Sequence, residues 1–204
     1  MARSRGNKRA ALIRRMRAVP EGQVIFDALI GLGELAWQPD PHRDRTAAIM
    51  GATFLEYALK KAISHHLVSD LDDPEFNYLF AGDEAPYREL AGRIRLARAL
   101  GIISKDYYYQ LEAIRLIRNA FAHTMAEISF QTEEISAYCD DLNILEESQG
   151  YAILVDAFAP RYTLLGMTLS GRNNRMAFAH AIFLFYWKLI TYPPKTLAEL
   201  LAST

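Results

Sequence analysis

Residues 111–123 read LEAIRLIRNAFAH, and this stretch carries the clearest helical pattern in the chain. Its apolar side chains recur at steps of three and four residues, which is the spacing of one face of an α-helix. Ser104 stands a short distance upstream, where its hydroxyl can cap the first turn of the helix. The pattern therefore predicts an amphipathic helix that ends near His123 and buries the following side chains: Leu111, Ile114, Ile117 and Phe121.

Helical spacing continues on both sides of this stretch. Pro86 suits the first turn of one such helix, and Gly101 suits the position just past its end. Residues 151–169 are split by a proline and favour two short strands or an irregular segment. We predict an all-α domain, an antiparallel bundle of five to six helices, with helices over residues 21–37, 43–68, 86–100, 104–123, 133–145 and 172–191.

Composition favours one globular domain. The chain has 204 residues, of which 51% are hydrophobic and 23% are charged. This balance excludes a disordered or collagen-like protein. Cys139 is the only cysteine, so the chain has neither an internal disulfide nor a cysteine zinc cluster. We therefore expect a reducing cytoplasmic location.

The first 18 residues form a basic arm that precedes the predicted domain at residues 19–204. Seven cations and no acid give the arm a charge of +7, which leaves −8 on the rest of a chain whose net charge is −1. Such an arm suits contact with a polyanion such as nucleic acid, and a solvated tail is the alternative. The candidate nucleic-acid-binding residues are Arg3, Arg5, Lys8, Arg9, Arg14, Arg15 and Arg17.

The most apolar segment, MAFAHAIFLFYWKLI at residues 176–190, does not predict a membrane span. It has 15 residues and contains His180 and Lys188, whereas a spanning helix needs about 20 apolar residues. A buried core helix explains the segment better, and we expect no membrane contact.

A polar motif lies on the back of the helix at residues 104–123. Arg115, Asn119 and His123 follow one another at four-residue steps and form a stripe opposite the apolar face. Arg118 is five residues before His123, about 140° around an ideal helix. The two side chains can converge only if the helix ends near Ala122 or if a second subunit supplies the complementary pair.

These residue types can perform metal-independent RNA cleavage. An arginine binds a phosphate and stabilises the charge that develops on it, while a histidine transfers a proton near neutral pH. The asparagine can orient either group, and the ribose 2′-hydroxyl would be the nucleophile. The alternative is structural, because an Arg and a His near a helix end also satisfy backbone carbonyls.

The order of three segments resembles the mannitol operon repressor (MtlR)-like branch of the HEPN superfamily. These segments are FLEYAL at residues 54–59, RIRLARALGII at 93–103 and LEAIRLIRNAFAH at 111–123, and the likeness spans roughly residues 46–190. The resemblance implies an all-helical domain that forms homodimers.

The same resemblance implies two functions. One is an endoribonuclease, a toxin or defence effector, whose site across the dimer contains Arg118, Asn119 and His123. The other is a non-catalytic transcriptional regulator or co-regulator that binds proteins. Glu56 matches an acid in an earlier helix of the family and is expected to support the site by pairing with Arg118 or Arg115.

Other polar clusters leave alternatives open. The arginines of residues 86–100 and the triple tyrosine at residues 107–109 can contact phosphates and bases, or they can be solvated and packed surface. The acids of residues 133–147 can dock a regulatory protein or an antitoxin. We find no pattern that predicts a metal site, a nucleotide loop or a serine nucleophile, and we expect no cofactor.

Overall fold

The computed structural model describes residues 41–67, 73–142 and 174–191, and these residues form six α-helices and no strand. The all-α prediction is confirmed. The predicted helix over residues 21–37, the basic arm and the segment at residues 151–169 lie outside the described residues. The helices are α1 (Pro41–Ser64), α2 (Asp73–Phe80), α3 (Leu90–Ala99), α4 (Lys105–His123), α5 (Glu133–Asp140) and α6 (Asn174–Ile190).

Helix α1 occupies the centre of the described fold and packs against α3, α4 and α6. Small side chains at residues 47, 48 and 52 are buried along it. A Cβ atom on Gly51 would lie only 2.9 Å from Cγ1 of Ile182 and 3.1 Å from Cε1 of Phe178. Glycine is therefore required for the close crossing of α1 and α6.

Helix α4 confirms the prediction from its apolar spacing. Its four predicted core side chains are fully buried. The Ser104 hydroxyl accepts a hydrogen bond from the backbone N–H of Tyr107 at 3.2 Å, so the predicted cap is present. The helix continues through His123, and Thr124 then takes an extended conformation.

Helix α3 begins later than predicted, at Leu90 and not at Pro86. The backbone N–H of Tyr87 donates to the carbonyl of Leu79 at 3.0 Å, and the carbonyl of Tyr87 accepts from the Arg93 side chain at 2.8 Å. Residues 86–89 therefore form a turn that is fastened to the end of α2. Sequence spacing could not show this contact, because α2 supplies the partner.

The end of α3 matches the prediction. Gly101 has a φ of +71°, which side chains with a Cβ rarely adopt. The N–H of Ile102 donates to the carbonyl of Ala97 at 2.9 Å, and that of Gly101 donates to the carbonyl of Arg98 at 3.1 Å. These two bonds form a Schellman motif, which directs the chain into α4.

Helix α6 matches its prediction over the described residues, whereas α5 is shorter than predicted. Helix α6 is buried over most of its length, as expected for a core helix. A search of the described helices finds none with the length and hydropathy of a membrane span. Helix α5 ends at Asp140, five residues earlier than predicted. Thr132 precedes it, but its hydroxyl accepts from the N–H of Ser129 at 3.0 Å instead of capping the helix.

Candidate functional site

The motif residues lie on the last turns of α4. Arg118 is half-buried, and its Nη1 donates to Oδ1 of Asn119 at 3.0 Å. His123 is exposed and is the final residue of the helix. Because the helix is continuous through His123, Arg118 and His123 point about 140° apart. One copy of the chain does not bring them together, so a shared site would require a second copy.

Glu56 lies on α1 within the electrostatic influence of two arginines. Burial raises the pKa of the Glu56 carboxyl above its usual value, and the positive charges of Arg93 and Arg118 oppose that rise. No ion pair joins Glu56 to Arg118 or Arg115 among the described residues. Glu56 is therefore close enough to Arg118 to affect it electrostatically, but it does not clamp the guanidinium.

Arg93 is a structural residue of this region. Its Nε donates to the carbonyl of Tyr87 and its Nη1 to the backbone carbonyl of Glu56, both at 2.8 Å. The guanidinium also lies 6.0 Å from the centre of the Phe80 ring. A buried arginine with these partners fixes α3 against α1 and α2, so the basic face predicted for residues 86–100 does not include Arg93.

Arg115 is held by its own helix. Its Nη2 lies 2.8 Å from Oε2 of Glu112, and its Nε donates to the same oxygen at 2.9 Å. Both side chains are mostly buried, with exposed fractions of 23% and 17%. The structure therefore places Arg115 beside Glu112 and not beside Glu56.

A second polar cluster, which sequence reasoning did not single out, fixes the segment that follows His123. We call it the Asp44 joint; it comprises Asp44, Ser136, Asn174, Arg175 and the backbone of Phe130. Oδ2 of Asp44 accepts from the N–H of Phe130 at 3.1 Å, and Oδ1 forms an ion pair with Arg175. Asn174 donates to the Phe130 carbonyl at 3.1 Å and to the Ser136 hydroxyl at 2.7 Å.

The joint brings the start of α1, the start of α6 and the start of α5 to one place. Arg45 adds a neighbouring contact, because its Nη2 donates to the carbonyl of Thr124 at 2.9 Å. The backbone immediately after His123 is thus attached to α1. An Asn-Arg pair at the start of an otherwise apolar helix was the sequence signal that could have indicated this cluster.

The basic arm, with all seven of its candidate residues, lies outside the described residues. Within the part of the chain that the structure describes, no group of three or more His, Cys, Asp or Glu side chains is placed to hold a metal ion. Cys139 is fully buried there. The structure thus offers the end of α4, with its neighbour Glu56, as the candidate site.

Comparison with known proteins is informative for the fold. No protein-family model matches the sequence, and no curated protein matches it. The fold is similar to that of a chain in the X-ray structure of the MtlR–HPr complex from Escherichia coli, with a TM-score of 0.50, 20% identity, and coverage of 72% of this chain and 89% of that chain. At this identity the likeness shows the fold alone, so the chain has an MtlR-like fold and its place in the HEPN superfamily stays a prediction.

Proposed function

We propose that this chain is a non-catalytic MtlR-like regulator that works by binding a protein partner through its helical surface. The observation that carries the proposal is the similarity of its fold to a chain found in a complex of MtlR with HPr. What we propose for this chain is the same mode of action, protein binding by a helical domain. HPr is the first partner to be tested.

The contacts of the motif residues support a regulator. Arg115 is paired with Glu112, and Arg118 is bonded to the neighbouring Asn119. Arg118 and His123 diverge on one intact helix. Arg115 and Arg118 therefore have partners within α4 itself, and these contacts require no substrate.

Helix α5 offers the partner an acidic face. Glu133, Glu134 and Asp141 are exposed on it or just after it, and they are consistent with the predicted docking of a regulatory protein. Rim charges of this kind steer association and set its salt dependence. A partner with a basic surface would therefore bind more weakly as salt rises.

Calorimetric titration of the purified chain with HPr from the same organism tests the proposal. We expect saturable binding that Glu133→Gln/Glu134→Gln weakens at least fivefold. The control is Glu84→Gln/Glu89→Gln, which removes the same charge from exposed residues before α3 and should bind as wild type. Concentrations of about 100 µM of each protein are enough to detect a weak complex. Absence of binding under these conditions would reject the proposal.

A second candidate function is the predicted metal-independent endoribonuclease. Two observations favour it: His123 is exposed at the end of α4, and the Arg118–Asn119 pair is only half-buried. In a homodimer, Arg118 of one copy would stabilise the phosphate and His123 of the other would transfer the proton. Asn119 would orient the guanidinium, and Glu56 would support it through its charge.

Mixing two inactive variants tests this second function. RNA incubated in EDTA with Arg118→Ala or with His123→Ala should remain intact, and the mixed variants should regain cleavage because a mixed dimer contains one complete site. His65→Ala, at an exposed histidine after α1, is the control and should cleave as wild type. Equal background cleavage by wild type and His123→Ala would reject the nuclease function.

A further inference from the structure

Three cations cluster at the elbow between α3 and α4. Arg95 and Arg98 are exposed one turn apart on α3, and Lys105 is exposed at the first position of α4. Nη1 of Arg98 donates to the carbonyl of Ile103 at 3.2 Å, so its guanidinium lies against the connection two residues before Lys105. We call Arg95, Arg98 and Lys105 the elbow cations.

The elbow cations differ from Arg88, Arg115 and Arg175 because no carboxylate of the described residues pairs with them. Arg88 lies 2.5 Å from Asp83, and Arg115 lies 2.8 Å from Glu112. Arg175 is paired with Asp44 inside the joint. Among the described residues, no carboxylate lies within ion-pair distance of an elbow cation, and the exposed Asp106 is the acid nearest in sequence. Their positive charge is therefore available to an anionic ligand.

An exposed aromatic ring continues the same surface. Tyr109 is 57% exposed, and Nζ of Lys105 lies 5.9 Å from the centre of its ring. The Tyr108 ring meets it edge-on at 5.6 Å and an angle of 71°, which steadies its orientation. By contrast, Tyr107 packs inward against Phe185, with ring centres 5.4 Å apart.

Cations beside an exposed ring match single-stranded nucleic acid. Arginine binds phosphates through a fork of N–H donors, and an exposed ring gives an unpaired base a surface on which to stack. An acidic protein would need the cations but not the ring. The aromatic component therefore favours a nucleic acid as the ligand.

We propose that the α3–α4 elbow binds single-stranded nucleic acid, with the elbow cations on its phosphates and Tyr109 under one base. This site is separate from the end of α4 and from the acidic face of α5. It does not depend on the proposed protein partner, because binding to the elbow can be measured with the chain alone.

The test uses the full chain and a fluorescein-labelled 20-nucleotide 2′-O-methyl RNA, which resists cleavage through the 2′-hydroxyl. Fluorescence anisotropy over a salt series gives both the affinity and its salt dependence. Arg95→Gln/Arg98→Gln should weaken binding at least fivefold at low salt. It should also reduce the slope of log K against log salt by about 1.4, since each single-strand phosphate contact contributes about 0.7.

The matched control is Lys61→Gln/Arg88→Gln, which removes two exposed cations outside the elbow. We expect its affinity and salt slope to stay close to wild type, since the basic arm is the same in all variants. Equal slopes for the two double variants would overturn the proposal, because nonspecific attraction alone would then explain the binding.

Substitutions of Tyr109 test whether the ligand is a nucleic acid or an acidic protein. Tyr109→Ala should weaken RNA binding at least threefold, while Tyr109→Phe should retain it because the ring face is kept. Polyglutamate should compete less well than unlabelled RNA at equal charge. If polyglutamate competes equally and Tyr109→Ala binds as wild type, the elbow is a docking surface for acidic proteins and the proposal is wrong.

Discussion

The Asp44 joint and the motif at the end of α4 are two polar clusters joined by one short segment, yet they are held very differently. Asp44 is fully buried, and its carboxylate has both a backbone N–H and a guanidinium as partners. Arg118 is half-buried and donates to the side chain of Asn119, while His123 is exposed.

This difference indicates which of the two clusters contributes more to stability. A buried charge must be paired, and removal of one partner is costly because the other stays uncompensated. A half-exposed pair is solvated and contributes little to stability. The joint is therefore suited to holding the fold together, whereas the contacts of the motif should contribute little to the stability of the fold.

The largest expected effect is that of Asp44→Ala. The substitution leaves Arg175 buried without its carboxylate and the N–H of Phe130 without an acceptor, so we expect a loss of about 3–5 kcal/mol of unfolding free energy. Urea unfolding followed by circular dichroism measures it. Asp83→Ala is the control, because that carboxylate is exposed and its loss should leave the midpoint unchanged. A midpoint for Asp44→Ala equal to that of the control would break the comparison.

The next effect is a loss of stability in acid that comes from His180 on α6. Burial lowers the pKa of His180 from 6.5 to about 4. Between these two pH values the unfolded chain binds a proton that the folded chain does not. The free energy of unfolding therefore falls as the pH falls below 6.5, whereas above 6.5 this histidine causes no loss. We expect the unfolding free energy to be about 2 kcal/mol lower at pH 5 than at pH 7.5.

Urea unfolding at the two pH values measures the His180 effect, with His180→Gln as the control. Glu56 acts in the opposite direction, since its raised pKa favours proton uptake by the folded chain. The comparison with His180→Gln isolates the histidine. If the unfolding free energies of wild type and His180→Gln depended equally on pH, burial of His180 would not be the cause of the loss of stability in acid.

The smallest effect is expected for Arg118→Ala. The guanidinium is half-exposed, so its loss should cost about 1 kcal/mol or less and lower the melting temperature slightly. Arg115→Ala removes a neighbouring arginine whose pair with Glu112 is less exposed, and it should be at least as destabilising. Thermal unfolding of both variants sharpens the comparison. A loss for Arg118→Ala as large as that for Asp44→Ala would place the motif among the residues that hold the fold together.

The sequence determined the helical elements that rest on local patterns. Apolar spacing predicts α1 and α4, and a continuous apolar run predicts α6. The Ser104 cap and Gly101 can be predicted because each acts within a few residues of its own position. The same spacing separated the buried face of α4 from the polar stripe with Arg115, Asn119 and His123. Local backbone geometry is enough for these conclusions.

The partners of the polar residues depend on how distant segments pack together. Arg93 is buried and donates to carbonyls of two other segments, and Arg115 pairs with Glu112. The Asp44 joint consists of residues that are far apart in the chain. The tertiary structure also leaves the elbow cations and Tyr109 exposed beside one another. The reason is physical: an apolar side chain is buried wherever a core exists, but a polar side chain is buried only where a specific partner meets it.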